Sequence, residues 1–198
     1  MTSRSQTRQR QQQVAQQDPS RPAFVDPGEY QTLYQGDRLF GCCCRWGTGT
    51  EFYGEGHIYQ GEWRMDLRHG QGTFWYEDGD RYEGAFRNGY PADGTFFFAA
   101  SGQKYVGQYD SSRPGSLRHG WGVFHYASGE RYEGEYKNGT QSGQGSFHHA
   151  DGTVEVGPWL EGSPIGKHVA TLPDGSTKTH RYHRGRAAHV EEGQPASV

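Results

Sequence analysis

Histidine, cysteine and carboxylate residues, the types that most often carry chemistry, occur throughout this chain of 198 residues without a catalytic or metal-binding spacing. There is no His-Glu-x-x-His, Cys-x-x-Cys, Walker A or Gly-x-Ser-x-Gly motif. His148 and His149 would point to opposite faces of a strand and cannot chelate as a simple pair. His180 and His183 could bind zinc only with further ligands, which the sequence lacks. We therefore predict no enzyme activity, no cofactor and no metal.

The cysteines form one cluster of three consecutive residues, Cys42, Cys43 and Cys44. Successive residues of a strand point to opposite faces, so this run does not resemble a disulfide framework. We expect reduced thiols packed in a strand, as in a reducing cytoplasm. S-palmitoylation is the alternative, because lipid attachment would anchor the protein to a membrane.

Basic residues are concentrated towards the C-terminus. Clustered lysine and arginine attract anionic lipid headgroups, and the acidic tails of tubulin are a second surface of this charge. The alternative is a solvated basic tail. The candidate contacts are Lys167, Lys178, Arg181, Arg184 and Arg186.

The composition favours a folded β protein with an unusual core. The mean hydropathy is −1.01, and a net charge of −3 gives no reason to expect nucleic-acid binding. Leucine and isoleucine are scarce, whereas the chain has 31 Gly, 13 Tyr, 10 Phe and 5 Trp. Aromatic rings bury large areas, and glycine lets a ring lie against bare backbone. We therefore predict a core of rings stacked on glycines.

A repeat organises most of the chain. Each unit reads Tyr-x-Gly-x-aromatic, a turn, Gly-x-Gly-x-Phe-x-Tyr, and then Asp-Gly or Ser-Gly. In the second unit Tyr59, Gly61 and Trp63 share one strand face, and Asn88-Gly89 and Asn138-Gly139 are two-residue hairpin turns. Each unit is therefore predicted to be one β-hairpin. The units start near residues 34, 59, 82, 105, 132 and 154.

Glycine recurs inside the predicted strands. Such a glycine costs on the order of 0.5–1 kcal/mol relative to alanine, so its recurrence needs a compensating role. Stacking of a ring on bare backbone supplies that role. The predicted structural glycines are Gly61, Gly70, Gly72, Gly84, Gly107, Gly120, Gly122, Gly134, Gly143 and Gly145.

A second row of rings recurs on the opposite strand face in five successive units. Phe52, Trp75, Phe97, His125 and His148 form this row. A half-exposed row would be a groove for a partner peptide or helix, because exposed apolar stripes usually mark interfaces. The alternative is that the coil of the array, or a chain-terminal segment, buries the row.

These repeats resemble the MORN (membrane occupation and recognition nexus) unit. Tyr132–Gly139 (YEGEYKNG) and His69–Phe74 (HGQGTF) are close matches to it. The first unit departs from the pattern with its cysteines and with Glu51 in place of the second-strand aromatic. The last unit departs at Val154, which replaces the first tyrosine, and at Pro158.

The resemblance implies an all-β fold, a single elongated and twisted antiparallel meander of about six β-hairpins. We predict the array over residues 34–177, after a disordered Gln/Arg-rich tail and lead-in at residues 1–33. A basic, histidine-rich tail follows at residues 178–198. An unpaired edge strand at one end of the array would favour a homodimer.

The resemblance also implies a function in recognition. Radial-spoke head proteins carry similar repeats, so we expect a non-catalytic protein-interaction scaffold in cytoskeletal or ciliary (flagellar) assembly, located in the cytoplasm. Junctophilin-type proteins and lipid kinases suggest the alternative of a membrane-apposed module that binds anionic phospholipid headgroups. Some lysine methyltransferases carry such repeats beside a catalytic domain, but no catalytic domain fits in the residues outside this array.

Overall fold

The computed structural model describes residues 18–25, 32–112, 114–183 and 185–192. These residues form two compact units. Unit 1 holds the described residues up to Gly102 together with Ser111–Ser116, and unit 2 holds Gln103–Asp110 and the described residues from Leu117 onward. Every helix or strand in the described part of the chain is a β-strand.

Unit 1 is an antiparallel meander in which each strand pairs with the next along the chain. Its β5–β6 turn is the predicted Asn-Gly turn, with Asn88 at φ 51° and Gly89 at φ 89°. The strands of unit 1 are β1 (Thr32–Arg38), β2 (Arg45–Tyr53), β3 (Ile58–Arg64), β4 (Leu67–Trp75), β5 (Arg81–Arg87) and β6 (Tyr90–Phe97).

Unit 2 is also an antiparallel meander, with one short strand, β12, that pairs only with β11. Asn138 and Gly139 form its β9–β10 turn. The strands of unit 2 are β7 (Lys104–Tyr109), β8 (Arg118–His125), β9 (Arg131–Lys137), β10 (Thr140–His148), β11 (Val154–Leu160), β12 (Ser163–Pro164), β13 (Gly166–Thr171), β14 (Thr177–His183) and β15 (Arg186–Glu192).

A core common to both units lies on the strand face that carries the first tyrosine of each hairpin, called the tyrosine face below. Tyr59, Tyr82, Tyr105 and Tyr132 are completely buried there. Each hydroxyl donates a hydrogen bond to the carbonyl three residues later, over 2.9 Å from Tyr59 to Glu62 in β3. The ring therefore lies along its own strand, and its hydroxyl is satisfied although it is buried.

Glycine makes room for these rings. A Cβ atom on Gly61 would lie 2.5 Å from Gly72 Cα, and a Cβ on Gly72 would lie 2.5 Å from the Tyr59 hydroxyl. The same approach recurs where Gly134 and Gly145 lie beneath Tyr132. Any larger residue would have to displace backbone or a buried ring.

A second set of glycines forms a β-bulge in the second strand of a hairpin. At Gly70 the bulge leaves the next N–H, that of Gln71, free to donate to Glu62 Oε1 over 2.7 Å. Equivalent bonds join Trp121 to Gln108 and Gln144 to Glu135. The left-handed φ, which glycine adopts without strain, and the satisfied N–H together fix the register of each hairpin. The bulge glycines are Gly70 (φ 55°), Gly120 (φ 64°) and Gly143 (φ 62°).

The predicted all-β antiparallel meander is confirmed, but two of its ends differ from the prediction. Residues 178–183 and 186–192, predicted as a tail, belong to β14 and β15, which pair with β13 and with each other. The sequence did not predict these strands, because the segment has mixed charges and neither strand face is apolar enough to give an alternating pattern. The prediction of disorder is also wrong for residues 18–25, which pack on the sheet. The remainder of the predicted N-terminal tail, up to residue 31, lies outside the described residues.

The last repeat is also corrected by one residue. Gly145 pairs with Gly134 on one side and with Gly157 on the other, so Gly157 is the β11 counterpart of the first-strand glycine of the earlier repeats. The first tyrosine lies two residues before that glycine in the earlier units. Glu155, and not Val154, therefore occupies the tyrosine position.

The cysteines lie in the turn between β1 and β2, so the prediction that they are reduced thiols in a strand is wrong. Cys43 has a φ of 57°, and a disulfide joins Cys42 and Cys44, whose Cα atoms are 5.3 Å apart. The turn, which sequence alternation did not predict, brings the two sulfurs together. Cys43 is a free, exposed cysteine.

Candidate protein-interaction site

The predicted row of rings lies on the face opposite the tyrosine face and forms a cross-strand ladder in each unit. In unit 1 the ladder is largely aromatic, and in unit 2 it is basic. The unit 1 ladder is Phe52, Ile58, Trp75, Arg81 and Phe97. The unit 2 ladder is Lys104, His125, Arg131, His148 and Val154.

The chain's own segment Asp18–Val25 covers the aromatic ladder. Phe52 and Trp75 are each only 3% exposed. The Phe24 ring meets Phe52 edge-on at a centroid distance of 6.5 Å, and Leu33 packs against the same cluster. Phe52 and Trp75 are therefore buried by a segment of the chain, as in the alternative to an exposed groove.

Two polar anchors hold this segment. Arg21, which is 6% exposed, donates to the Gly56 carbonyl over 2.7 Å and to the Tyr76 carbonyl over 2.9 Å. Asp18 accepts the Trp75 indole N–H over 2.9 Å and an Arg81 N–H over 2.6 Å. The segment thus satisfies polar groups of the sheet and of the β2–β3 and β4–β5 connections beside its apolar contact.

The electrostatics of Asp18 reflect those contacts. Burial raises its pKa, but hydrogen bonds from Ser20, Arg81 and Trp75 outweigh burial and lower the pKa to about 2. The bonds favour the charged carboxylate over the acid, so Asp18 is ionised in the docked segment.

The remaining members of the predicted row are half-buried. Phe97 lies beneath the Arg81 guanidinium, 4.3 Å from its ring centroid. Burial, followed by Lys104 and Arg131, lowers the pKa of His125. Burial and Arg131 lower the pKa of His148, an effect that Glu133 opposes. The unit 2 ladder therefore combines fixed cations with histidines whose neutral form is favoured by their surroundings.

The predicted anionic-surface residues separate between two faces of the sheet. Lys167 and Arg181 are direct cross-strand partners, and both are exposed. Lys178 pairs with Ala170, two residues along β13 from the buried His168, and so belongs to the tyrosine face. Arg186 is exposed opposite His183, and Arg184 lies outside the described residues.

Arginines that the sequence analysis did not single out fill aromatic cages on the tyrosine face. The Arg68 guanidinium lies 5.0 Å from the Phe74 centroid, 5.7 Å from Phe86 and 5.8 Å from Tyr59. The Arg118 guanidinium is surrounded in the same way, at 5.3–5.6 Å, by the rings of Tyr105, Phe124 and Tyr136. The repeated Leu-Arg-His-Gly at residues 67–70 and 117–120 was the signal that could have revealed them.

A carboxylate stands in the corresponding part of the last repeat. Glu155 is 7% exposed, and its Oε1 lies 3.2 Å from His180 Nδ1 and 3.5 Å from His168 Nδ1. His168 takes the place of the tyrosine ring over Gly157 and bonds the Pro158 carbonyl through Nε2 over 2.9 Å.

Within the described residues, no group of three or more His, Cys, Asp or Glu residues is arranged to hold a metal ion. The same residues contain no helix long and apolar enough to cross a membrane.

The sequence matches the model of the MORN repeat over residues 59–81, 115–131 and 132–154. The chain therefore carries MORN repeats, and the predicted resemblance is confirmed. A search of curated proteins gives no match.

Several solved structures are similar at low sequence identity. The TCP10 domain of Danio rerio CPAP, in complex with a peptide of Danio rerio STIL, has a TM-score of 0.45 and 11% identity, covering 75% of this chain. This chain spans 65% of that domain's length. The Drosophila melanogaster SAS-4 TCP domain, in complex with a proline-rich motif of Ana2, has a TM-score of 0.42 and 11% identity, with 88% of this chain and 97% of that chain covered.

Proposed function

We propose that this protein is a non-catalytic protein-interaction scaffold whose binding face is the one opposite the tyrosine face. One observation carries the proposal: the segment Asp18–Val25 lies on that face as a peptide would. It contributes a ring to Phe52, a carboxylate to Trp75 and Arg81, and a guanidinium to backbone carbonyls. Rings and charged groups in matched positions are the usual means of peptide recognition.

The partner peptide is proposed to lie on the basic ladder of unit 2. Lys104 and Arg131 flank His125 and His148 there, and Glu133, 3.9 Å from His148, is the carboxylate paired with the row. Charge complementarity favours a partner segment rich in aspartate and glutamate.

A direct titration tests this proposal. Acetyl-hexaglutamate amide is added to the full chain labelled with ¹⁵N and ¹³C, and imidazole resonances are followed by NMR. We expect His125 and His148 to shift together, and the double variant His125→Ala/His148→Ala to bind at least about fivefold more weakly. His119→Ala, which removes an exposed histidine of the tip of β8, is the matched control. No shift with the acidic peptide would contradict a binding role for the ladder.

Cytoskeletal or ciliary (flagellar) assembly is the setting we propose for this binding. The resemblance of the repeats to those of radial-spoke head proteins supports it. Proximity labelling in a ciliated cell, with the wild-type chain and the double histidine variant compared, should give axonemal or other cytoskeletal neighbours that only the wild type retains. Identical neighbours for both chains would contradict the proposal.

Binding to anionic phospholipid headgroups is a second candidate, favoured by the exposed pair of Lys167 and Arg181. It predicts binding to vesicles of phosphatidylcholine and phosphatidylserine that weakens as salt rises. Lys167→Gln/Arg181→Gln should abolish the binding, whereas Lys137→Gln, at an exposed position of β9, should not. Failure to bind at low salt would exclude this function.

We also propose homodimerisation through an edge strand, because an unpaired strand edge invites pairing with a second copy. Light scattering at tens of micromolar protein measures the mass directly, and a monomer at that concentration would exclude the idea.

A further inference from the structure

A cavity at the end of the tyrosine face lies where other hairpins of the same chain place an arginine. It has a volume of about 190 Å³ and is open to solvent. It lies on the opposite side of the sheet from the basic ladder, so nothing in its argument depends on that ladder. The lining residues are Phe147, His149, Glu155, Trp159, Pro164 and Tyr182.

Strand register identifies the equivalent positions. The caged Arg68 pairs with Trp63, the last aromatic of its first strand, and Arg118 pairs with Tyr109 in the same way. In the last hairpin the corresponding partner of Trp159 is Pro164. Proline carries no charge. The position that supplies a guanidinium to the other cages therefore supplies no cation to this one.

The walls of the last cage differ from the others in ways that suit a cation from another molecule. Where Arg68 meets Tyr59 and Phe74, the last hairpin has Glu155 and Ala170. The small alanine leaves space, and the carboxylate adds a negative charge to the rings of Trp159 and Tyr182.

A third arginine on the tyrosine face shows that a carboxylate in such a cage is compatible with a guanidinium. Arg45 pairs with Arg38, at the same register position as Arg68. Its guanidinium lies 4.3 Å from the Trp63 ring centroid and forms an ion pair with buried Glu51. A ring on one side and a carboxylate on the other thus already hold one guanidinium in unit 1.

Polar atoms at the last cage also remain without partners. The Trp159 indole N–H is buried with no hydrogen bond, and His168 Nδ1, also without one, faces Glu155 Oε1 at 3.5 Å. Burial, and then a hydrogen bond to the Glu155 carboxylate, raises the pKa of the Tyr182 hydroxyl. The Glu155 carboxylate that lines the cavity also lies 3.6 Å from His149 Nε2.

From this geometry we propose that the cavity binds an arginine side chain of a partner protein, with the guanidinium stacked on Trp159 and Tyr182 and paired with Glu155. Arginine is preferred to lysine, because a planar guanidinium stacks on rings and can donate two parallel hydrogen bonds to a carboxylate. Phe147 and Pro164 cover the aliphatic part of the side chain.

The test uses the full chain labelled with ¹⁵N, at one fixed pH for both probes. The probe is Nα-acetyl-arginine N-methylamide, and the citrulline analogue, of nearly the same shape without charge, is its matched control. The readout is the Trp159 indole N–H resonance, assigned with Trp159→Phe. We expect a saturable shift with the arginine probe and at least about tenfold weaker binding of citrulline.

Two variants separate the cage from general acidity. Glu155→Gln should weaken the arginine probe at least about tenfold while preserving the spectrum of the rest of the chain. Pro164→Arg should place the chain's own guanidinium in the cage, as Arg118 does in its own, and abolish binding. Pro173→Arg adds the same charge at an exposed position and should leave binding unchanged.

Equal responses to the arginine and citrulline probes, or unchanged binding by Glu155→Gln, would overturn the proposal. A further result would also overturn it: no shift of the Trp159 indole in the wild-type chain, but a shift in Lys178→Gln or Arg184→Gln. A cation of the chain itself would then fill the cage. A silent indole in all these variants would likewise overturn it.

Discussion

The faces opposite the tyrosines differ between the two units, although both are built by the same repeat. In unit 1 this face carries Phe52, Ile58 and Trp75 and is sealed by the segment Asp18–Val25. In unit 2 it carries Lys104 and Arg131 and stays open to solvent between half-buried histidines. A position in the repeat therefore does not determine whether a residue is core or surface; the presence of a covering segment does.

The tyrosine faces, in contrast, are alike in both units. Tyr59 and Tyr132 are both completely buried over paired glycines. The tyrosine face thus maintains the fold in both units, whereas the opposite face is buried in unit 1 and solvent-accessible in unit 2. This division explains why aromatic and basic ladders can exist within a single array.

The largest loss of stability is expected from a substitution in the sealed ladder of unit 1. Trp75→Ala should lower the free energy of unfolding of unit 1 by about 3–5 kcal/mol, because loss of the buried indole leaves a cavity and removes one hydrogen bond to Asp18. His148→Ala, the equivalent change in unit 2, should cost less than about 1 kcal/mol. Urea denaturation followed by residue-resolved NMR measures both. Similar losses in the two units would remove the distinction between a sealed and an open ladder.

The next effect concerns the face that the two units share. Gly72→Ala and Gly145→Ala should each destabilise by about 1–3 kcal/mol, because the new Cβ would overlap the ring of Tyr59 or Tyr132. Thr73→Ala, which changes the opposite face, is the control and should lower the free energy of unfolding by less than either glycine substitution. If only one of the two glycines were sensitive, the tyrosine faces would not be equivalent.

A smaller change releases the covering segment without removing a ring. Asp18→Asn should cost about 1–2 kcal/mol, because charge-assisted bonds to Trp75 and Arg81 become weaker neutral ones. Faster amide exchange at residues 18–25 is the expected signature. Asp174→Asn, at a turn of unit 2, should leave that exchange unchanged.

Acid gives an independent test of the same anchor. The pKa of Asp18 is lowered to about 2 in the folded chain, so its contribution is complete above the ordinary carboxyl pKa near 3.8 and is lost as pH falls towards 2. The protection of the segment's amides, measured as the exchange rate relative to the intrinsic rate at each pH, should thus fall in wild type only below about pH 4. In the variant Asp18→Asn, amide exchange of residues 18–25 should show no such acid transition.

The smallest effect sharpens the account of the open ladder. Arg131→Gln should raise the pKa of His125 and of His148 towards the ordinary histidine value, because a nearby positive charge is removed. In wild type the lowered pKa values mean that the histidines favour folding above their ordinary pKa and lose that contribution as pH falls through the lowered one. NMR titration of both imidazoles measures the shift. Unchanged midpoints would mean that Arg131 does not depress them, and would leave burial, together with Lys104 at His125, as the cause.

The sequence predicted the hairpins, the turns and the tyrosine core, because each rests on local periodicity and glycine spacing. It did not predict that residues 18–25 cover Trp75, since a polar tail gives no local signal of the distant surface on which it docks. The strands β14 and β15 were missed because their residues are polar on both faces.

The candidate sites show the same limit. The row from Phe52 to His148 was identified by counting along the repeat, but its division into sealed and open parts depends on long-range contact. The cage at Glu155 depends on register, which places that carboxylate, and not Val154, in the tyrosine position. A one-residue shift of this kind exchanges the two faces and cannot be resolved from an imperfect repeat alone.

The bulge near each hairpin tip has a consequence for how such arrays can change over time. Because the register of the β7–β8 hairpin is fixed at Gly107 and Gly122, its longer tip, closed by the bond from Asp110 to Leu117, leaves the neighbouring strands undisturbed. Insertions at the hairpin tips should therefore disturb the sheet little. A lineage could acquire new tip loops, and engineers could graft epitopes there, without re-threading the strands that follow.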